Sequence, residues 1–268
     1  MIKLVVTDID DTLLNSKGEL TEKTRNTIKK CIDRGIKVIL ASGRPDFGMQ
    51  QYVKELNLDS YDNYLLSYNG AKMTNLMTGE VIYDRLLEVE RIKFLINKAY
   101  EHNCDVLTYQ DNKVLTNKAN PYAAWEANAL KTNLVLISDI ENKIFEKSAK
   151  AIILSDPDKA IEIKDKLSFE IGDKYEVAMS KPFFIEVNDK NISKGGALEF
   201  LCERMGITNN ELLAIGDGLN DLSMIEFAGC GVAMGNANQL LKDKANFISL
   251  SNDEEGFSYA IEKLVLNK

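Results

Sequence analysis

Three carboxylates crowd together at Asp8, Asp10 and Asp11, directly after the apolar run Leu4-Val5-Val6. Nothing in strand folding calls for so much negative charge at the end of a buried run. Side chains alternate between the faces of a strand, so the spacing predicts that Asp8 and Asp10 point one way and Asp11 another. Two aligned carboxylates at a strand end can hold a cation, move protons, or do both. A turn explains the same letters without chemistry, because Asp is frequent in turns and as a helix N-cap.

Three further stretches carry polar groups that a core does not need. In Ser42-Gly43 a hydroxyl and a main-chain amide can approach an anion closely. Lys194-Gly195-Gly196 opens a predicted helix, where exposed N–H groups favour an anion and the lysine adds a full charge. Asp217, Asn220 and Asp221 follow a predicted strand. Brought together, Asp8, Asp10, Asp217 and Asp221 repel one another unless something positive intervenes. Oxygen donors without nearby His or Cys suit a hard divalent cation, with Mg²⁺ as the natural choice. A cation with open coordination positions also admits an anionic substrate, with Lys194 balancing the opposite side of a phosphate. The donor set predicts phosphoryl transfer.

The strands that end at these loops alternate with helices. A strand through Val6 is followed by a helix over 22–34, with Ile28, Cys31 and Ile32 on one face and Gly35 as its stop. A strand over 36–41, a helix over 46–56 and a strand over 64–67 come next, the last ending at Tyr68-Asn69-Gly70-Ala71. This alternation predicts an α/β fold with a doubly wound, Rossmann-like parallel sheet, whose ligand sits beyond the strand C-termini. From 81 to 187 the rhythm changes to helices between paired strands, including hairpins over 105–115 and 175–187, which predicts an inserted α+β unit. The doubly wound rhythm resumes where Ser193 can N-cap a helix that stops at Gly206. The expected organisation is therefore a discontinuous catalytic core of residues 1–80 and 190–268 and an α+β cap of 81–189, with hinges over 69–80 and 184–193.

The chain has 268 residues, 45% hydrophobic and 28% charged, which is enough to build a core. Its formal net charge of -8 argues against nucleic acid or an anionic membrane as partner. No apolar run approaches the roughly 20 residues of a membrane span, and no signal peptide is visible. Cys31, Cys104, Cys202 and Cys230 form no C-x-x-C pair, and with a single His they make a poor zinc set. A cytoplasmic protein with reduced thiols is expected, a monomer or a small homo-oligomer whose partner is a small phosphorylated metabolite.

Asp8-Ile9-Asp10-Asp11-Thr12-Leu13 resembles the D-x-D-x-T signature of the haloacid dehalogenase superfamily of phosphatases. Ser42, Lys194 and Gly216-Asp217-Gly218-Leu219-Asn220-Asp221 match its other three motifs in order. Ser42-Gly43-Arg44-Pro45, Asn69-Gly70-Ala71 and Val232-Ala233-Met234-Gly235-Asn236-Ala237 resemble its Cof-type sugar-phosphate phosphatase branch. The resemblance spans nearly the whole chain and implies a Mg²⁺-dependent phosphatase whose cap selects the substrate. It implies Asp8 as nucleophile and Asp10 as acid and base, with the metal held by Asp8, the main-chain oxygen of Asp10, and Asp217, supported by Asp221. Ile9, Ser42, Gly43, Lys194 and Asn220 would hold the phosphate, and Arg44, Asn69 and Gly70 could face the substrate. A sugar phosphomutase and a non-catalytic sugar-phosphate sensor are the alternatives on the same scaffold.

Overall fold

A computed structural model describes residues 1–267 of the chain. Strand β1 (Leu4–Thr7) is buried along its whole length. Helix α1 (Glu22–Asp33) begins at Thr21, whose hydroxyl oxygen accepts from the Thr24 N–H, and turns Ile28 and Cys31 inward. Strand β2 (Lys37–Ala41) then pairs in parallel with β1. A 3₁₀ turn and the short helix α2 (Gln50–Glu55) lead to β3 (Tyr64–Ser67), parallel to β2. Two antiparallel strands follow, β4 (Lys72–Asn75) on β3 and β5 (Val81–Asp84) on β4.

These last two strands correct the expected boundary. The stretch expected as a hinge over 69–80 contains β4, and Val81–Asp84, expected to open the cap, is an edge strand of the core sheet. In β4 only the second and fourth residues, Met73 and Asn75, are buried, so one apolar side chain carries the whole inward face and leaves little period to read.

The inserted segment runs α3 (Val89–Glu101), β6 (Asp105–Gln110), β7 (Lys113–Thr116), α4 (Pro121–Ala129), β8 (Leu134–Leu136), β9 (Lys150–Leu154), α5 (Pro157–Ile171), β10 (Tyr175–Lys181) and β11 (Phe184–Asp189). Its six strands lie in the order β10-β11-β9-β6-β7-β8. Asp111 and Asn112 turn the β6–β7 hairpin with φ of +51° and +57°, the left-handed pair that matches strand twist. Ile92, Leu95 and Ile96 of α3 pack with Val106, Ile153 and Ile185 into a core that belongs to this segment.

The chain then returns through α6 (Lys194–Met205), β12 (Leu212–Gly216), α7 (Leu222–Phe227), β13 (Cys230–Ala233), α8 (Gln239–Lys244), β14 (Phe247–Ile248) and α9 (Gly256–Ile261), which runs into a π-helical turn. Ser193 caps α6 by accepting from the Gly196 N–H, and Gly206 ends it at φ +65°. The core sheet has the order β14-β13-β12-β1-β2-β3-β4-β5, parallel from β14 to β3. The chain divides into two compact units, Met1–Asp84 together with the chain from Ser193, and Arg85–Ile192. Strand β1 sits between β12 and β2, so the loops after these three strands share one edge of the sheet, where such folds bind ligands. No helix among the described residues is long and apolar enough to cross a membrane, and all four cysteines are free thiols.

Candidate active site

The chain leaves β1 after Thr7, so the strand alternation expected for Asp8 and Asp10 does not apply. Instead the N–H groups of Leu13 and Leu14 both donate to the Ile9 carbonyl at 3.0 Å. Ile9, Leu13 and Leu14 are buried and pin this turn to the core. Asp11 takes φ +56°, a conformation Asp tolerates better than most residues, and its carbonyl accepts from Asn236 Nδ2 at 2.8 Å. Asp8 and Asp10 part company: Asp8 is buried, while the Asp10 side chain is 49% exposed.

Asp8 meets Lys194, the first residue of α6. Lys194 is wholly buried, and its Nζ donates to Asp8 Oδ1 at 2.6 Å, Asp221 Oδ1 at 2.5 Å and the Ala41 carbonyl at 2.8 Å. Those contacts use all three of its protons, so Lys194 holds Asp8 in place rather than presenting a free donor. Burial alone would push the Lys194 ammonium down, but Asp221 and Asp8 outweigh it and hold it above its ordinary value. Burial also pushes the Asp8 carboxyl well up, against the pull of Lys194. The start of α6 differs from expectation as an anion site. The Gly195 N–H donates to Ser223 Oγ, that of Gly196 to Ser193 Oγ, and that of Ala197 to the Ser193 carbonyl. Of the first four amides of α6 only that of Lys194 has no acceptor among the described residues, so this end contributes that one N–H beside the charge of Lys194.

The loop after β12 folds on Asp221. One of its oxygens accepts from the N–H groups of Asp217 and Gly218 at 2.9 and 3.0 Å, and the other from Lys194. A Cβ on Gly216 would stand 2.5 Å from the Asp221 carboxylate, so this close turn requires glycine there. Asp221 is thereby committed mainly to shaping the loop and orienting Lys194. Asp217 is more open. Thr12, buried, donates its hydroxyl to Asp217 Oδ1 at 2.6 Å. Burial pushes the Asp217 carboxyl up to about 6, with Thr12 working against that rise and Asp221 adding to it. Thr12 stands inside the quoted signature but drew no role from sequence reasoning; its place there was the available signal.

The loop after β2 carries Ser42, Gly43 and Arg44. The main-chain N–H of Ser42 donates to the Leu66 carbonyl, so only its hydroxyl proton is available to an anion. The N–H groups of Ile9 and Gly43 have no acceptor among the described residues. Arg44 forms a two-point pair with Asp10, Nε to Oδ2 at 2.8 Å and one terminal nitrogen to Oδ1 at 2.6 Å. Both Asp10 oxygens therefore act as acceptors, and the Asp10 carboxylate lies outside the acidic cluster. Its main-chain oxygen accepts no hydrogen bond among the described residues. Asn69, in the turn after β3, accepts from Asn220 Nδ2 at 3.0 Å, and Gly70 packs against the backbone of Ser193 and Lys194.

Carboxylate oxygens of Asp8, Asp217 and Asp221 lie within 4.8 Å of one another. Three acids face one ammonium here, and burial raises two of them, so the cluster lacks positive charge. That imbalance and an all-oxygen donor set fit a divalent cation.

An acidic, cation-fitting cluster at the ligand-binding edge of a doubly wound parallel sheet suits a protein that takes an anionic group beside a divalent cation. The chain belongs to the haloacid dehalogenase-like hydrolases, whose family model matches residues 5–261. It is a phosphatase of that family, a family that uses a divalent metal. Bacillus subtilis YxeH is 34% identical over 272 residues, covering 100% of both chains. The 5-amino-6-(5-phospho-D-ribitylamino)uracil phosphatase YcsE of Bacillus subtilis is 30% identical, covering 99% of this chain and 96% of its own. The crystal structure of a haloacid dehalogenase-like hydrolase from Bacteroides thetaiotaomicron superposes with a TM-score of 0.93 at 38% identity, covering 98% of this chain and 100% of that one.

Proposed function

We propose that this phosphatase is Mg²⁺-dependent, hydrolyses small phosphorylated metabolites, sugar phosphates first among them, and works through an aspartyl-phosphate. The observation that carries the reading is Asp8, buried at the end of β1 with Lys194 at 2.6 Å and carboxylate oxygens of Asp217 and Asp221 within 4.8 Å. An Asp8 oxygen attacks phosphorus and the ester oxygen leaves, taking a proton from Asp10. In the second half, Asp10 takes a proton from water, which attacks the phosphorylated Asp8 and releases phosphate while the carboxylate re-forms. The amides of Ile9 and Gly43 and the Ser42 hydroxyl hold phosphate oxygens, donors fixed before the reaction begins. Asp10 can donate only after leaving Arg44, because both its oxygens accept from that guanidinium.

Asp8, Asp217 and the main-chain oxygen of Asp10 would hold the metal, which would draw negative charge from the phosphate and would let an anion approach the acidic cluster. The preference for a sugar phosphate rests on the Cof-type motifs and on YcsE, named for an ester on a phospho-D-ribityl chain. Selection among esters is assigned to the α+β unit Arg85–Ile192. A phosphate-release screen over sugar phosphates, nucleotides, pyridoxal phosphate and flavin mononucleotide, with and without Mg²⁺, tests the reading. Turnover without a bisphosphate activator separates it from a mutase. Asp8→Asn should abolish release while leaving the fold intact; appreciable residual turnover would remove Asp8 as nucleophile.

A further inference from the structure

The turn between β3 and β4 is more strained than a hairpin needs. Tyr68, Asn69 and Gly70 hold φ of +53°, +56° and +100° in succession, a left-handed run that includes a bulky side chain. An antiparallel pair can be closed by two such residues, usually Asn-Gly. Here the strain is held by partners outside the hairpin. The Tyr68 N–H donates to the Arg44 carbonyl at 3.0 Å, and the Asn69 N–H to the Ser42 carbonyl at 2.9 Å. A Cβ on Gly70 would stand 2.3 Å from the Ser193 carbonyl oxygen, so that backbone and the start of α6 touch directly. One side chain leaves the turn toward the loop after β12: Asn69 Oδ1 accepts from Asn220 Nδ2 at 3.0 Å. The same amide lies against Gly43, where a Cβ would stand 3.1 Å from Asn69 Oδ1.

We propose that Asn69 is a positioning residue that acts through Asn220: the strained turn sets its amide so that the Asn220 side chain faces the phosphate site in one orientation. The physical reason lies in Asn220 itself. It is exposed, and among the described residues its only side-chain hydrogen bond is the one to Asn69. Without Asn69 its amide turns freely, and a donor that must be ordered at each encounter contributes less than one fixed beforehand. Backbone strain held by its surroundings at a site of this kind is the expected signature of such a role. Because the inference rests on the phosphatase reading, its test must separate the two.

The test is a cycle of Asn69→Gly, Asn220→Ala and the double variant, using an ester that the wild type hydrolyses, with inorganic phosphate as competitive inhibitor. Glycine takes φ +56° freely, so Asn69→Gly removes the amide and adds no strain at that position. Asn69→Gly should lower kcat/KM about tenfold, the worth of one hydrogen bond, and weaken inhibition by phosphate to a similar degree at an unchanged melting temperature. The double variant should be no worse than Asn220→Ala alone. Losses that multiply in the double variant would mean that Asn69 acts independently of Asn220 and would overturn the inference, as would wild-type kinetics in Asn69→Gly. A wild type that releases phosphate from no ester and binds none would instead overturn the phosphatase reading, and the inference with it.

Discussion

Lys194 and Asp8, 186 residues apart in the chain, meet at 2.6 Å with the ammonium wholly buried. Their meeting joins the end of β1 to the start of α6 and sets the nucleophile proposed here. Replacing Lys194 by Met leaves Asp8 and Asp221 facing each other without the ammonium between them. The expected cost is about 3–5 kcal/mol of stability together with loss of turnover, read by denaturant unfolding and phosphate release. Divalent metal should recover part of the stability and little of the activity, since the metal can answer the charge but cannot orient Asp8.

Thr12→Val removes the hydroxyl that donates to Asp217 at 2.6 Å while keeping the shape of the side chain. Loss of this bond should cost about 1 kcal/mol and weaken divalent-metal affinity roughly tenfold or more. Calorimetric titration with Mg²⁺ measures the second effect directly.

The pH dependence has a definite sign. Asp217 sits at about 6 in the folded chain against an ordinary 3.8. Between those values the folded state keeps a proton that the unfolded state releases, so stability falls as pH rises through this window. Asp8 is shifted in the same direction. Metal-free protein should therefore melt at lower temperature as pH rises from about 4 to 6, by linkage. Saturating Mg²⁺ should abolish that fall, and Mg²⁺ binding below pH 6 should release protons, detected as buffer-dependent heats.

Gly70→Ala places a Cβ at 2.3 Å from the Ser193 carbonyl and keeps φ near +100°. Backbone strain alone should cost roughly 1–3 kcal/mol. Because the clash bears on the start of α6, activity should fall further than stability predicts. Thermal melting beside kcat/KM checks this.

Much of the site was legible in the letters. Asp8, Ser42, Lys194 and Asp217 stand out because no strand or helix needs them, and Ser193 and Gly206 mark α6 by local capping chemistry. The parallel core followed from strand and helix periods, which are local properties of the chain. Strands β4 and β8 escaped notice, since four and three residues give a period too little length to appear. What only the tertiary structure decided is where each oxygen and proton is used. Asp10 is held by Arg44, Asp221 turns back on its own loop and on Lys194, and Thr12 reaches Asp217 across 205 residues. Spacing along a chain fixes which residue types lie near a strand end. Hydrogen-bond partners are chosen through space, by the packing that carries separate loops to one edge of the sheet.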